Sequence, residues 1–136
     1  MGIHLDIQKA LLAQVKTAAA STGLSVAYPN VDFSPPKAGY IRVNIEALET
    51  TPAGLGESKL RENGLLLLDV FAPEGEALSG GMAHADTLAA AFVPGTALAS
   101  GAASVKIVMP PRVSGGLSTP PFYMIPVTIQ WRACET

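Results

Sequence analysis

The chain has 136 residues, a formal net charge of -2, 49% hydrophobic residues and only 6% aromatic ones. This length predicts one domain over residues 1–136, large enough to bury a single core. Charged residues make up 15% of the chain, below the roughly 25% typical of soluble domains, which favours burial of some apolar surface against other chains. No basic patch with interleaved aromatic residues is present, so specific nucleic-acid binding is not expected.

The sequence carries no pattern typical of export or membrane insertion. Cys134 is the only cysteine, so no internal disulfide can form. The first residues show no charged-then-apolar signal pattern, and no apolar run approaches the roughly 18 residues that span a bilayer. We therefore expect an intracellular protein with no membrane partner.

The first predicted element is a helix over residues 3–20. Ile3, Ile7, Leu11 and Val15 recur every four residues and form an apolar stripe. Gly23 follows, where a left-handed residue would end the helix.

Three strands are predicted next. A short strand over residues 24–28 precedes a proline-rich loop, and residues 40–47 alternate between apolar and polar side chains. Residues 49–63 show no periodicity and read as a long loop of the functional or disordered kind. Residues 65–71 run apolar without alternation, which predicts a strand buried on both faces.

The remainder predicts a second helix and two strands. The helix covers residues 82–92, with Ser79 as its cap and Pro94-Gly95 as its stop. A strand at 103–109, a Pro/Gly-rich loop at 110–121 and a strand at 123–132 follow. Pro126 cannot donate to a ladder, which predicts an edge or bulged strand there.

This order, α-β-β-β-α-β-β, predicts an α+β fold. The expected architecture is a two-layer sandwich, in which two helices cover one face of a mixed or antiparallel sheet of about five strands. The last two strands are expected to pair as an antiparallel hairpin.

The chain offers little for catalysis or metal binding. His4 and His84 are its only histidines, and His4 is expected to be solvated. His84 and Asp86 are two residues apart, so they do not share a helical face. Asp69, inside an apolar strand, is expected to pair with a backbone donor or a base. We predict no catalytic residues, no cofactor and no metal site.

The charges are unevenly distributed along the chain. From Glu46 to Asp86, eight acidic residues stand against two basic ones, while the remainder holds three acids and seven bases. Such blocks are typical of solvated loops, or of an acidic face set apart from a basic one.

Several motifs together resemble the phage tail terminator family. They are the early helix, Tyr28-Pro29-Asn30-Val31 with Phe33 and Pro35-Pro36, Tyr40-Ile41-Arg42-Val43, Arg61 and Gly64 before Asp69-Val70-Phe71, Pro73 and Gly75, Ala85-Asp86 with Leu88 and Phe92, and Pro126-Val127-Thr128-Ile129-Gln130-Trp131. The resemblance covers nearly the whole chain.

The resemblance implies a non-enzymatic virion protein. Such proteins form a ring, commonly of six subunits, that ends the tail tube and provides the surface to which the head docks. The implied partners are other copies of the chain, the major tail tube protein and the head–tail connector protein, with DNA passing through the ring unbound. The implied location is the host bacterial cytoplasm during assembly and then the virion tail.

The predicted assembly contacts lie in the loops. They are Phe33, Leu55, Lys59, Arg61, Glu62, Arg112 and Val113. Two other interpretations remain open at this point. One is a head-completion or neck adaptor; the other is a small enzyme or ligand-binding module with a polar pocket at Asp69 or His84.

Overall fold

A computed structural model describes residues 3–29, 31–36, 38–52, 60–73 and 78–135. Within those ranges the chain forms an α+β fold of two helices and one open, curled sheet. The elements in chain order are α1 (His4–Thr22), β1 (Ser25–Ala27), β2 (Tyr40–Pro52), β3 (Leu60–Pro73), α2 (Leu78–Ala90), β4 (Ala97–Ser100), β5 (Ala103–Ile107), β6 (Arg112–Val113), β7 (Leu117–Thr119) and β8 (Phe122–Glu135).

The strands lie in the order β1-β2-β3-β8-β5-β4, and β6 and β7 pair with β8 beyond the end of β5. β1 is parallel to β2, and the other pairs are antiparallel. The long strands β2, β3 and β8 form the centre of the sheet. The predicted antiparallel pairing of the last two strands is confirmed for β5 and β8.

The core lies between the helices and one face of the sheet. Strand alternation sends every second side chain of β3, β5 and β8 to this face, where α1 and α2 cover it. The stripe predicted on α1 is buried, and Gly23 ends the helix with φ 75°, its N–H bonding to the Ala19 carbonyl. Trp131 and Phe92 are the largest fully buried side chains.

The sheet is larger than the predicted one of about five strands. β4, β6 and β7 are absent from the sequence prediction, because each has only two to four residues and too short a pattern to identify. β4 and β5 form a hairpin whose turn contains Gly101 at φ 53°. β6 and β7 pair with the long strand β8, and β4 pairs with β5, and this pairing makes such short segments regular.

The prediction of a long loop at residues 49–63 is wrong at both ends. β2 continues to Pro52 and β3 begins at Leu60, so residues 49–52 and 60–63 belong to paired strands. A β-bulge at Ala47/Glu49 interrupts the alternation of β2, which hides the strand from pattern analysis. β3 is also not buried on both faces: Leu65 and Leu67 point away from the helices and are half-buried.

Two further predictions are corrected. α2 begins at Leu78, so Ser79 lies inside the helix and is not its cap. β8 is a central strand, although Pro126 predicts an edge or a bulge. The Pro126 carbonyl accepts from the Ser114 N–H at 2.9 Å, so its nitrogen points to the same side, into the gap between β6 and β7.

Candidate assembly surface

The face of the sheet opposite α1 and α2 is uncovered by any described helix, and we call it the open face. Register places side chains from four strands in rows across it. One row runs from Glu49 on β2 through Asn63 on β3 and Arg132 on β8 to Lys106 on β5. The sheet pleat therefore gathers on one surface residues that are far apart in sequence.

The predicted contact residues fall in different places. Arg61 and Arg112 are exposed on strands of the open face, on β3 and β6. Val113 points to the opposite face and packs half-buried against the core. Phe33 is half-buried, its ring 5.1 Å from that of Tyr40. Leu55 and Lys59 lie outside the described residues.

Glu62 is not the exposed loop residue that the sequence predicts. It lies on β3 with its side chain turned toward α1 and 2% exposed. Successive side chains of a strand point to opposite faces, so Glu62 points inward while Arg61 beside it points outward. Nδ1 of His4 lies 2.9 Å from one carboxylate oxygen, and the Thr50 hydroxyl donates at 3.4 Å. His4 is exposed as predicted, but it also pairs with this buried group.

A cavity of about 120 Å³ lies beside Glu62. His4, Gln8 and Trp131 are among its lining residues. The indole Nε1 of Trp131 is buried and has no hydrogen-bond partner among the described atoms. This end of the core is therefore more polar than the rest.

An ion pair and a cluster of aromatic rings lie together at one end of the open face. Nη2 of Arg42 donates to Asp69 at 2.9 Å, as expected for Asp69, and the guanidinium lies 5.1 Å from the centre of the Phe71 ring. Tyr40 stacks on Phe71 at 4.5 Å, and Phe122 meets both edge-on. Aromatic pairs of this kind stabilise the end of the sheet, by about 0.5–1.5 kcal/mol each beyond the area they bury.

Away from that end, the open face has its charges sorted by strand. Glu46 and Glu49 are exposed on β2, near one side of the sheet. Lys106, Arg112 and Arg132 are exposed toward the other side, on β5, β6 and β8. No ion pair joins these five side chains to any described residue. The two unpaired groups are the acidic strip (Glu46, Glu49) and the basic strip (Lys106, Arg112, Arg132).

A cavity of about 310 Å³ lies between the two strips. Leu48, Leu65 and Val108 contribute apolar walls, and Asn63, Gln130 and Arg132 contribute polar groups. Leu48 is the extra residue of the bulge and is 62% exposed. The open face thus combines apolar patches with charges of both signs.

The residues considered for catalysis are not brought together. Asp69 lies on the open face and His84 on α2, on opposite sides of the sheet. His84 and His4 line different cavities. In the part of the chain that the structure describes, no group of three His, Cys, Asp or Glu residues could hold a metal ion.

Comparison with known proteins assigns the family. The family of phage tail terminator proteins matches residues 6–131 of this sequence. The chain belongs to the phage tail terminator family. This terminator-family protein is therefore a structural protein of a phage tail, as its motifs predict. No functionally curated protein matches it in sequence.

Two solved structures share the fold of this terminator-family chain. One, of a protein with no functional name, is 22% identical with a TM-score of 0.80, over 98% of this chain and 96% of that one. The other is a chain from the virion of a native gene transfer agent particle, 14% identical with a TM-score of 0.67, over 98% of both chains. None of the described helices is long and apolar enough to cross a membrane.

Proposed function

We propose that this protein forms a ring on the end of the completed tail tube, stops further addition of tube subunits and provides the docking surface for the head. Membership of the tail terminator family carries the proposal. Its partners are then other copies of itself, the major tail tube protein and the head–tail connector protein. Assembly takes place in the host bacterial cytoplasm.

The geometry of the sheet supports a ring. A ring needs heterologous contacts, in which one patch of a subunit meets a different patch on the next. The acidic and basic strips lie toward opposite sides of one face, so they can meet different neighbours. The low share of charged residues, 15%, fits a protein that buries surface in an assembly.

Deleting the gene from the phage or prophage tests this function. We expect tails of uncontrolled length that carry no heads, since nothing would stop the tube or present a docking surface. Electron microscopy of the lysate gives the length distribution, and the wild-type gene on a plasmid should restore it. Tails of normal length from the deletion strain would contradict the proposal.

Two further measurements sharpen the assignment. Arg61→Glu combined with Arg112→Glu should abolish complementation while the isolated protein stays folded, because both residues lie on the open face. Tails purified from a head-defective lysate should contain the protein if it ends the tail. Its absence from those tails would instead favour a neck adaptor.

A further inference from the structure

We propose that the ring contact is made by the acidic strip of one copy against the basic strip of the next. This inference rests on the proposed function and names the surfaces that join its subunits. The partner that binds each strip is a second copy of this chain.

The acidic strip lies on a strand with a free outer edge. β1 pairs with β2 only as far as Arg42, and no other described strand contacts the outer edge of β2 over residues 43–52. Glu46 and Glu49 are exposed on this stretch, and the exposed Leu48 lies between them. A neighbour placed at this side meets two carboxylates around one apolar side chain.

The basic strip lies on β5, β6 and β8, two or more strands away from β2. Lys106, Arg112 and Arg132 are exposed there. Met109, 49% exposed, lies between Lys106 and Arg112 in the chain. An apolar centre with charges around it is the usual composition of an interface core and rim. The two strips are therefore complementary in charge, and each has an exposed apolar residue close to it in the chain.

The strips do not pair with each other within one copy. In their shared row, Glu49 lies two strands from Arg132 and three from Lys106, about 10 and about 14 Å at the usual strand spacing, and no ion pair joins Glu49 to either. Each strip is therefore available to another molecule, and opposite charges would steer two copies toward placements in which an acidic strip meets a basic strip.

The contact uses side chains rather than an added strand. The bulge at Ala47/Glu49 and the two glutamates interrupt the outer edge of β2. Bulges and charges are the devices that keep an edge strand from pairing with another chain. The same devices leave Glu46, Leu48 and Glu49 exposed for a contact of complementary shape and charge.

The test uses paired charge reversals on the full chain. The acid-reversed variant is Glu46→Lys with Glu49→Lys, and the base-reversed variant is Lys106→Glu with Arg132→Glu. A third variant carries all four changes. The controls are Lys9→Glu with Lys16→Glu and Asp86→Lys, which change charge at exposed positions of the helices. Circular dichroism checks the fold, and sedimentation velocity measures self-association from micromolar to millimolar concentration.

Each reversal alone should weaken self-association by about tenfold or more, since it turns attraction into repulsion. Mixing the two reversed variants should restore assembly, because the reversed acidic strip of one copy, now positive, then faces the reversed basic strip of the next, now negative. The variant with all four changes should also assemble. The helix controls should behave like wild type.

Three results would overturn the contact. They are a base-reversed variant that assembles like wild type, a mixture that stays dissociated although both variants are folded, and a wild-type chain that is monomeric throughout. If the base-reversed variant assembles normally but no longer binds a DNA column that retains the wild-type protein, the basic strip would be assigned to DNA contact instead. Tails of uncontrolled length from the deletion strain would still support the proposed function in each case.

Discussion

Gly64 shows how one residue determines the packing of the sheet. Glycine normally weakens a strand interior, yet Gly64 lies in the middle of β3. A Cβ atom there would collide with the Glu46 carbonyl oxygen and with the Trp131 ring. Trp131 is 1% exposed, so its ring has little room to move away. The Trp131 indole therefore fills the space that a side chain at position 64 would need.

Gly64→Ala should lower the free energy of unfolding by about 1–3 kcal/mol, the usual cost of overpacking a core. Urea denaturation of the isolated protein measures this change. Gly115→Ala is the matched control, because its Cβ would meet no atom within 4 Å and its φ is not in the left-handed range. Equal losses in the two variants would contradict the packing argument.

At the scale of the elements, the N-terminal turn of α1 is tied to two separate parts of the sheet. Asp6 accepts a hydrogen bond from the Ala102 N–H at 3.0 Å. Ala102 lies in the turn that joins β4 to β5, so this bond ties the helix to that hairpin. His4 pairs with Glu62 on β3. One helix end therefore contacts both β3 and the β4–β5 hairpin, which are separated in the sheet by β8.

His4→Ala should destabilise the fold by about 1–3 kcal/mol, because it leaves the buried Glu62 carboxylate with only the Thr50 hydroxyl among its described side-chain partners. The same change should cost less in a Glu62→Gln background, where no charge is buried. Denaturation of the four chains of this cycle gives the coupling. An equal loss of unfolding free energy in both backgrounds would refute the role given to the His4–Glu62 pair. Lys9→Ala, on the exposed side of α1, is the control.

The success of the sequence predictions follows the range of the interactions involved. Helical spacing identifies the buried stripe of α1, and alternation assigns Ile41, Val43 and Trp131 to the core. These patterns are local. The strand ends at Pro52 and Leu60, and the central position of β8, depend on pairing partners distant in sequence, which no local pattern contains.

The candidate surface is predictable only in part for the same reason. Arg61 and Arg112 are predicted contact residues and are exposed on the open face. Glu46, Lys106 and Arg132 can each be assigned to the polar side of a strand. Their division into two strips follows from the order of strands in the sheet, which alternation does not give.

At the scale of the whole molecule, the net charge of -2 conceals a strong asymmetry. Helices cover one face of the sheet. Away from the Arg42–Asp69 pair, the other face carries exposed acids on β2 and exposed bases on β3, β5, β6 and β8. A molecule with this layout favours those placements of two copies in which an acidic strip meets a basic strip, because opposite charges attract and like charges repel.

Self-association of the wild-type protein should weaken as salt is added. Going from about 0.01 M to about 1 M shortens the Debye length from about 30 to about 3 Å, which screens exposed charges. Sedimentation velocity across a sodium chloride series measures the change in Kd. An affinity that stays constant or rises with salt would show that the contact is mainly apolar, since salt does not weaken apolar burial.

The bulge on β2 determines which face of the sheet Glu49 lies on. Glu46 and Glu49 are three residues apart, so in a regular strand they would project from opposite faces. The extra residue Leu48 reverses the alternation, so both point away from the helices and Thr50 takes the inward position opposite Glu62. If β2 kept Leu48 but had no bulge, Leu48 would pair with Asn63 and Glu49 with Glu62, so Glu49 would face a buried carboxylate and the acidic strip would consist of Glu46 alone. By leaving Leu48 out of the pairing, the bulge thus doubles the negative charge at the sheet edge and keeps a second negative charge out of the core.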